Sequence, residues 1–394
     1  MAVKSIRDID MRGKRVFFRF DFNVPLDDAG TIKDDTRIRR AVPTIAYAVD
    51  QGARCILTSH LGRPKGERKP ELSLRPVAKR LGELLGRDVG FVDDCVGPKV
   101  KDAVSALPEG GVLLLENLRF HAGETKNDPQ FSEELASLAD VYVNDAFGTA
   151  HRAHASTVGV PQLLKEKAAG LLMKEELERL YKALATPVKP VVAIFGGAKV
   201  SDKLGVLQNI LGRMECILIG GGMANTFLAA QGVNTGASRI EEEMLGIAGE
   251  ILQTARQKGC SVILPSDVVV SDKMEPDAVP TVVEVNSIPS DKMALDIGPA
   301  TAGRFCAEIW SAGTIVWNGP MGVFEMEPFK KGTMEVAAAV AEARGFSLVG
   351  GGDTIRAVGQ AGVSDRISYI STGGGAFMEF MEGKTLPGVA ALEQ

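Results

Sequence analysis

The chain has 394 residues, 45% of them hydrophobic and 24% charged, with a formal net charge of −5. That length exceeds one ordinary core and predicts two domains, and the acidic balance argues against non-specific nucleic-acid binding, which needs a basic field. The charge is uneven: residues 1–185 carry 29 Lys and Arg against 27 Asp and Glu, residues 186–394 carry 16 against 23, as suits either an anionic ligand in the first half or simple solubility.

Short apolar runs alternate with helical patterns. In the first half, strands are expected at 15–21, 54–58, 112–116 and 141–144, with helices such as 75–85 and 132–138 between them. Each strand ends in polar residues: Asp21 and Asn23 in FFRFDFNVP, His60 and Arg63 in ARCILTSHLGRP, Arg119 in VLLLENLRF, and Arg152 soon after VYVNDAFG. Alternation of this kind implies right-handed crossovers and mainly parallel sheets, whose strand ends share one rim. Arg37, His60, Arg63, Arg119 and Arg152 are candidates to converge there on a small anion, since arginine forks match phosphate and carboxylate oxygens. Asp21 and Asn23 suit either a ligand hydroxyl or the orientation of an arginine. No Ser or Cys stands where His60 would complete a triad, and His121, His151 and His154 lack metal-ligand spacing.

A charged helical run over 171–184 is broken by ATPVKP, which reads as a linker into a second domain. The next stretch, VVAIFGGAKVSDKL (191–204), reads as a buried strand, a tight turn and a helix start. Backbone N–H groups at such a turn favour an anion, and Lys199 and Lys203 add charge. Further strands are expected at 216–219, 262–264, 314–317, 347–349 and 368–370, with helices such as 242–257 and 335–344. Four strand ends run into glycines, at FGGAK, IGGGM, VGGGDT and STGGGA, where a ligand can approach the backbone or the chain merely needs a tight turn. The loop WNGPMGVFE, with Glu325, suits a ribose and a base flanked by its apolar members. Asp353-Thr354 after three glycines suits a hard cation and a phosphate, or a plain helix cap.

The G-x-G-x-x-G and G-x-x-x-x-G-K-[ST] motifs and the protein-kinase set are absent, which counts against a nicotinamide-dependent dehydrogenase. A non-catalytic nucleotide-binding protein stays open. Cys55, Cys95, Cys216, Cys260 and Cys306 are scattered without a C-x-x-C pair, as expected in a reducing compartment. The polar start MAVKSIRDIDMRGKR is unlike a secretory signal, and no apolar run is long enough to span a bilayer. A cytoplasmic location is expected.

FRFDFNVP, the TRI around Arg37, LTSHLGRP, LLLENLRF, VNDAFGTAHRAHAST, FGGAKVSDK, LIGGGMANTF, WNGPMGVFE, GGGDT and STGGGA, in this order, resemble the phosphoglycerate kinase family over essentially the whole chain. The resemblance implies an α/β fold of two doubly wound, mainly parallel-sheet (Rossmann-like) domains joined by a helix and hinge. It places a substrate domain at 1–170, the helix and hinge at 171–185, a nucleotide domain at 186–382, and a tail at 383–394 that packs back on the first domain. It further implies a glycolytic, reversible transfer between 1,3-bisphosphoglycerate and ADP that gives 3-phosphoglycerate and ATP, in line, with Mg²⁺ and hinge closure, by a monomer that needs neither nucleic acid nor membrane. Asp21, Asn23, Arg37, His60, Arg63, Arg119 and Arg152 would hold the acid. Lys203, Gly298, Glu325, Gly351, Gly352, Asp353 and Thr354 would hold the nucleotide, with Asp353 at the metal. Arg37, Lys199 and the turn at Gly374 would serve the phosphoryl group in transfer. One departure stands out: Arg356 occupies a place where the family pattern implies a small residue.

Overall fold

The alternating runs form two six-stranded parallel sheets and one small antiparallel sheet in a computed structural model that describes residues 3–393. The chain divides into two units, one running to Leu177 and resuming at Thr385, the other Glu178–Lys384. The division falls within the helix Leu171–Leu184.

In the first unit the strands are β1 (Arg15–Arg19), β2 (Arg54–Thr58), β3 (Gly90–Val92), β4 (Val112–Leu115), β5 (Val141–Asn144) and β6 (Glu166–Ala169), in the order β3-β4-β2-β1-β5-β6. Every neighbouring pair is parallel. β4 and β5 are buried throughout, as expected of strands covered on both faces. Val16, Phe18, Cys55 and Leu57 pack against Ile38 and Ile45 of the helix Thr36–Asp50 and against Val77 and Leu81 of the helix Arg75–Leu85. The chain leaves β1 toward β2 on one side and later joins it from β5 on the other. The crevice beyond the carboxyl ends of such strands is where sheets of this kind bind ligands. In the tail, Leu386, Val389 and Leu392 are buried, and Gly388 N donates to Ala150 O at 2.8 Å.

The second unit holds β7 (Val191–Phe195), β8 (Cys216–Ile219), β9 (Ser261–Ile263), β10 (Asp267–Ser271), β11 (Thr281–Glu284), β12 (Met293–Ile297), β13 (Thr314–Asn318), β14 (Phe346–Gly350) and β15 (Tyr369–Ser371). Its parallel sheet runs β15-β14-β13-β7-β8-β9, and β11-β10-β12 form the antiparallel sheet. Among the strands of the parallel sheet, read from the β9 edge, the sequence order is third, second, first, fourth, fifth, sixth. That is the doubly wound order in which the ligand crevice opens where direction reverses, between β7 and β13. Val192, Ile194, Leu218, Ile315 and Trp317 form a core with Phe305 and Ile309 of the helix Pro299–Ser311 and Val336 and Val340 of the helix Lys331–Glu342.

Every strand expected from the sequence is present, with ends moved by at most two residues. The edge strands β3 and β6 and the antiparallel sheet were outside that reading. β11 is exposed along most of its length, so no buried face imposes a pattern on it. Among the described residues no helix is long and apolar enough to cross a membrane.

Candidate functional site

β1 delivers a fully buried arginine. Arg19 donates to Ser156 Oγ at 2.8 Å, to the Phe20 carbonyl, and to His60 Nδ1 at 3.1 Å. Arginine only donates, so Nδ1 must accept, and the neutral ring carries its proton on Nε2. Burial holds the His60 pKa well below its ordinary value, and Arg19, Arg119, Arg37 and His154 push in the same direction. Beneath them lies the fully buried Glu124, which accepts from Ser156 N and Oγ at 3.0 and 2.7 Å. Burial alone would raise its pKa. His154, Arg19 and Ser156 outweigh that and hold the carboxylate below the ordinary range.

The other expected residues stand at the strand ends with the following partners. Beyond β1, Asp21 Oδ2 accepts from Arg37 at 2.7 Å, and Asn23 Oδ1 accepts from Gly62 N at 2.8 Å. Of the two roles read for Asp21, the orientation of an arginine is therefore one it performs. Beyond β4, Arg119 donates to Gly62 O at 2.8 Å. Its pKa is drawn down to about 10 by burial first, then by Arg19 and Arg152. Arg119 thus feels the charge of two neighbouring arginines, Arg19 and Arg152. Arg152 Nε donates to His151 Nε2 at 3.2 Å. Arg63 is exposed.

His121 pairs with Asp94 at 2.7 Å and, with buried Cys95, makes the one metal-type cluster found among the described residues. Burial, Asp94 and Glu124 keep that thiol well above its ordinary pKa, so it stays protonated.

In the second unit the glycine turns differ from one another. After β7, Gly196 N donates to Asn318 O (3.1 Å) and Gly197 N to Pro320 O (3.0 Å), and after β8 Gly221 N donates to Met321 O (2.8 Å). A Cβ on Gly196 would lie 1.9 Å from Pro320 O, and one on Gly221 would lie 2.7 Å from Gly197 N. These glycines let three loops pack backbone on backbone. The anion expected at the turn before Lys203 is supplied by the chain itself: Glu241 accepts from Val200 N at 2.5 Å, Ser201 N at 3.2 Å and Ser201 Oγ at 2.5 Å. Lys199 is exposed. Lys203 sits in the short 3₁₀ turn Ser201–Lys203 rather than in the helix that follows it. It donates to Asn318 Oδ1 at the carboxyl end of β13, and burial lowers its pKa.

The turns after β14 and β15 are open. A Cβ on Gly352 or Gly374 would meet nothing within 4 Å, and Gly352, Asp353, Gly374 and Gly375 are exposed. Gly351 has φ +94° and would press a Cβ to 2.5 Å from Asn318 Nδ2. Thr354 is buried, and its Oγ1 accepts from Gly319 N at 2.7 Å. Asp353 is the second residue of the helix Gly352–Gln360, and Arg356, one turn on, reaches Asp353 Oδ1 at 2.7 Å and Glu325 Oε1 at 3.2 Å.

Gly298 and most apolar members of the loop after β13 are buried. Gly298 is buried against Asp267, whose carboxylate accepts from Ala300 N at 3.0 Å and Thr301 N at 2.7 Å and so caps the helix that Gly298 precedes. Trp317, Met321 and Phe324 are buried in the core, which leaves the partly exposed Val323 as the loop's apolar member open to a base.

Four participants were missed: Arg19, Glu124, Glu241 and Asn318. Only Arg19 left a trace in the sequence, as a charge inside the apolar run VFFRF. The others act on groups far away in the chain.

Comparison with known proteins shows the family. The family model described as phosphoglycerate kinase matches residues 6–384. A phosphoglycerate kinase of Moorella thermoacetica is 58% identical over 394 residues, covering 100% of both chains. One of Desulfosudis oleivorans is 57% identical, covering 100% of this chain and 99% of that one. The structure of phosphoglycerate kinase from Coxiella burnetii superposes with TM-score 0.94 at 44% identity, over 100% of this chain and 99% of the other. The chain belongs to the phosphoglycerate kinase family.

Proposed function

We propose a division of labour between the two sites of this enzyme. As a phosphoglycerate kinase it is a phosphotransferase with a carboxyl group as acceptor, carrying a phosphoryl group reversibly between 1,3-bisphosphoglycerate and ADP. The first unit takes the acid. Arg37, Arg63, Arg119 and Arg152 bind its phosphate and carboxylate, neutral His60 donates a hydrogen bond from Nε2, and Asp21 and Asn23 hold the surrounding loops and accept from hydroxyls. The observation that carries this is the crowding of cations at the strand ends: half-buried Arg119 lies close enough to buried Arg19 and exposed Arg152 that burial and their charges draw it down to about 10. An anion offsets that cost.

The second unit takes the nucleotide. Its phosphates meet Lys203 and the open turn Gly351–Thr354, Gly298 lies at the nucleotide's edge, and Glu325 accepts from the ribose. Asp353, an exposed carboxylate that Arg356 holds at 2.7 Å in the free protein, fits Mg²⁺, which keeps several waters and shares its ligands with phosphates. When bound, that ion neutralises phosphate charge.

The acceptor carboxylate is already ionised at neutral pH, so no general base is needed. Catalysis is alignment plus stabilisation of charge on the equatorial oxygens, supplied by Lys199, Arg37 and the N–H groups around Gly374. Because the ligands are assigned to different units, transfer needs a hinge closure that brings them together and excludes water. The working form is a monomer in the cytoplasm. A coupled assay of ATP formation tests the assignment: Lys199→Ala should lose about 10²–10³-fold in turnover with ADP binding retained. Turnover unchanged in that variant removes Lys199 from the mechanism. Scattering with both ligands bound should give a smaller radius of gyration than the free protein, and an unchanged radius rejects closure.

A further inference from the structure

Arg356 stands beside the carboxylate expected at the metal, and its contacts are specific. Its guanidinium lies 2.7 Å from Asp353 Oδ1 and 3.2 Å from Glu325 Oε1, with its carbon 5.5 Å from the centroid of Phe324. Phe324 is buried, so the ring is a fixed platform, and a cation over an aromatic face is held in place electrostatically. The three charged side chains are exposed to 61% (Arg356), 65% (Asp353) and 48% (Glu325). Exposed pairs of this kind are weakly held and exchange readily. The guanidinium is therefore well placed yet displaceable.

We propose that Arg356 is a resident cation of the nucleotide site, occupying Asp353 in place of the metal and thereby setting how strongly nucleotide binding depends on Mg²⁺. This rests on the reading of Asp353 as the residue that holds the ion. Two consequences follow from charge alone. Without metal, the guanidinium cancels the Asp353 charge, so a diphosphate approaches with less repulsion. With metal, the ion must take Asp353 from the guanidinium, which weakens its hold. Both effects shrink the coupling between Mg²⁺ and nucleotide. A small residue at this position leaves Asp353 bare, so the ion alone must neutralise it. Glu325 is restrained by the same fork, which pre-orients it beside the ribose position.

The test is calorimetric binding of ADP to the full-length protein with excess Mg²⁺ and with chelator. The readout is the dissociation constant with chelator divided by that with Mg²⁺. Arg356→Ala should raise that ratio by about tenfold, within the usual range of coupling between sites, through weaker metal-free binding and tighter binding with Mg²⁺. Arg356→Lys keeps the charge without a fork able to span two carboxylates, and should fall between. Asp353→Asn should collapse the ratio, and Arg356→Ala added to it should change nothing further. If Asp353→Asn leaves the ratio at the wild-type value, the metal reading of Asp353 fails. If Asp353→Asn lowers it but Arg356→Ala leaves it within twofold of wild type, or lowers it, the proposal for Arg356 fails alone.

Discussion

At the turn after β7, a methyl added to Gly196 would stand 1.9 Å from the Pro320 carbonyl oxygen, whereas at the turn after β14 a methyl added to Gly352 meets nothing within 4 Å. Both turns follow buried strands of one parallel sheet, and in the sequence they look alike. The first set, Gly196, Gly221 and Gly319, is consumed in packing loop on loop. Gly319 would itself press a Cβ to 2.2 Å from Gly196 O. The second set, Gly352 and Gly374, faces open space. A glycine run reports that side chains are not tolerated at a place. It does not report whether the excluded neighbour is the protein's own backbone or a ligand.

The sharpest way to break this contrast is Gly196→Ala. Pro320 O cannot retreat, because it accepts from Gly197 N at 3.0 Å, so the strain must spread into the loop and the end of β13. Overpacking of a fixed site costs about 3 kcal/mol, and the urea midpoint should fall accordingly. A midpoint equal to that of wild type would show that these loops are soft, and the distinction between the two sets would lose its basis.

Glu241 gives the next largest effect. It satisfies Val200 N and Ser201 N, at a turn whose N–H groups favour an anion. Loss of hydrogen bonds to a charged acceptor at a partly exposed site costs about 1.5 kcal/mol, so Glu241→Ala should lower the midpoint by less than Gly196→Ala does. Metal-free ADP binding should then rise or stay constant, since a carboxylate has left a turn rich in N–H groups. A marked loss of ADP affinity in Glu241→Ala would mean that the turn after β7 belongs with the open set after all.

What the sequence could reveal follows the range of the interaction. Strands such as Val112–Leu115 and Val191–Phe195 declare themselves because burial on both faces needs an unbroken apolar run, and their polar ends mark the rim. Asp21, His60 and Arg119 were legible for that reason. Arg19 was not, because its partners Ser156 and His60 lie 137 and 41 residues away, and an arginine inside a strand reads as a solvent-facing residue until they are known. Glu241 lies 41 residues from Val200 and Asn318 lies 115 from Lys203. Neither pairing has any local signature. In the antiparallel sheet, β11 was illegible for the opposite reason: it buries too little to carry a pattern.

Gly352→Ala gives the smallest change in stability and decides most about the open turns. Gly352 opens a helix, has no left-handed backbone angle and would place a methyl in open space. Alanine there restricts the unfolded chain and should stabilise the protein by roughly 0.5 kcal/mol. The same methyl would stand beside Asp353, where the nucleotide phosphates are assigned, and should weaken ADP binding severalfold. Stability and affinity would then move in opposite directions at one atom, which a packing role for the glycine does not produce. Unchanged ADP affinity with the expected gain in stability would mean that no ligand uses this space, and that openness of a glycine turn is no better a guide to function than its sequence.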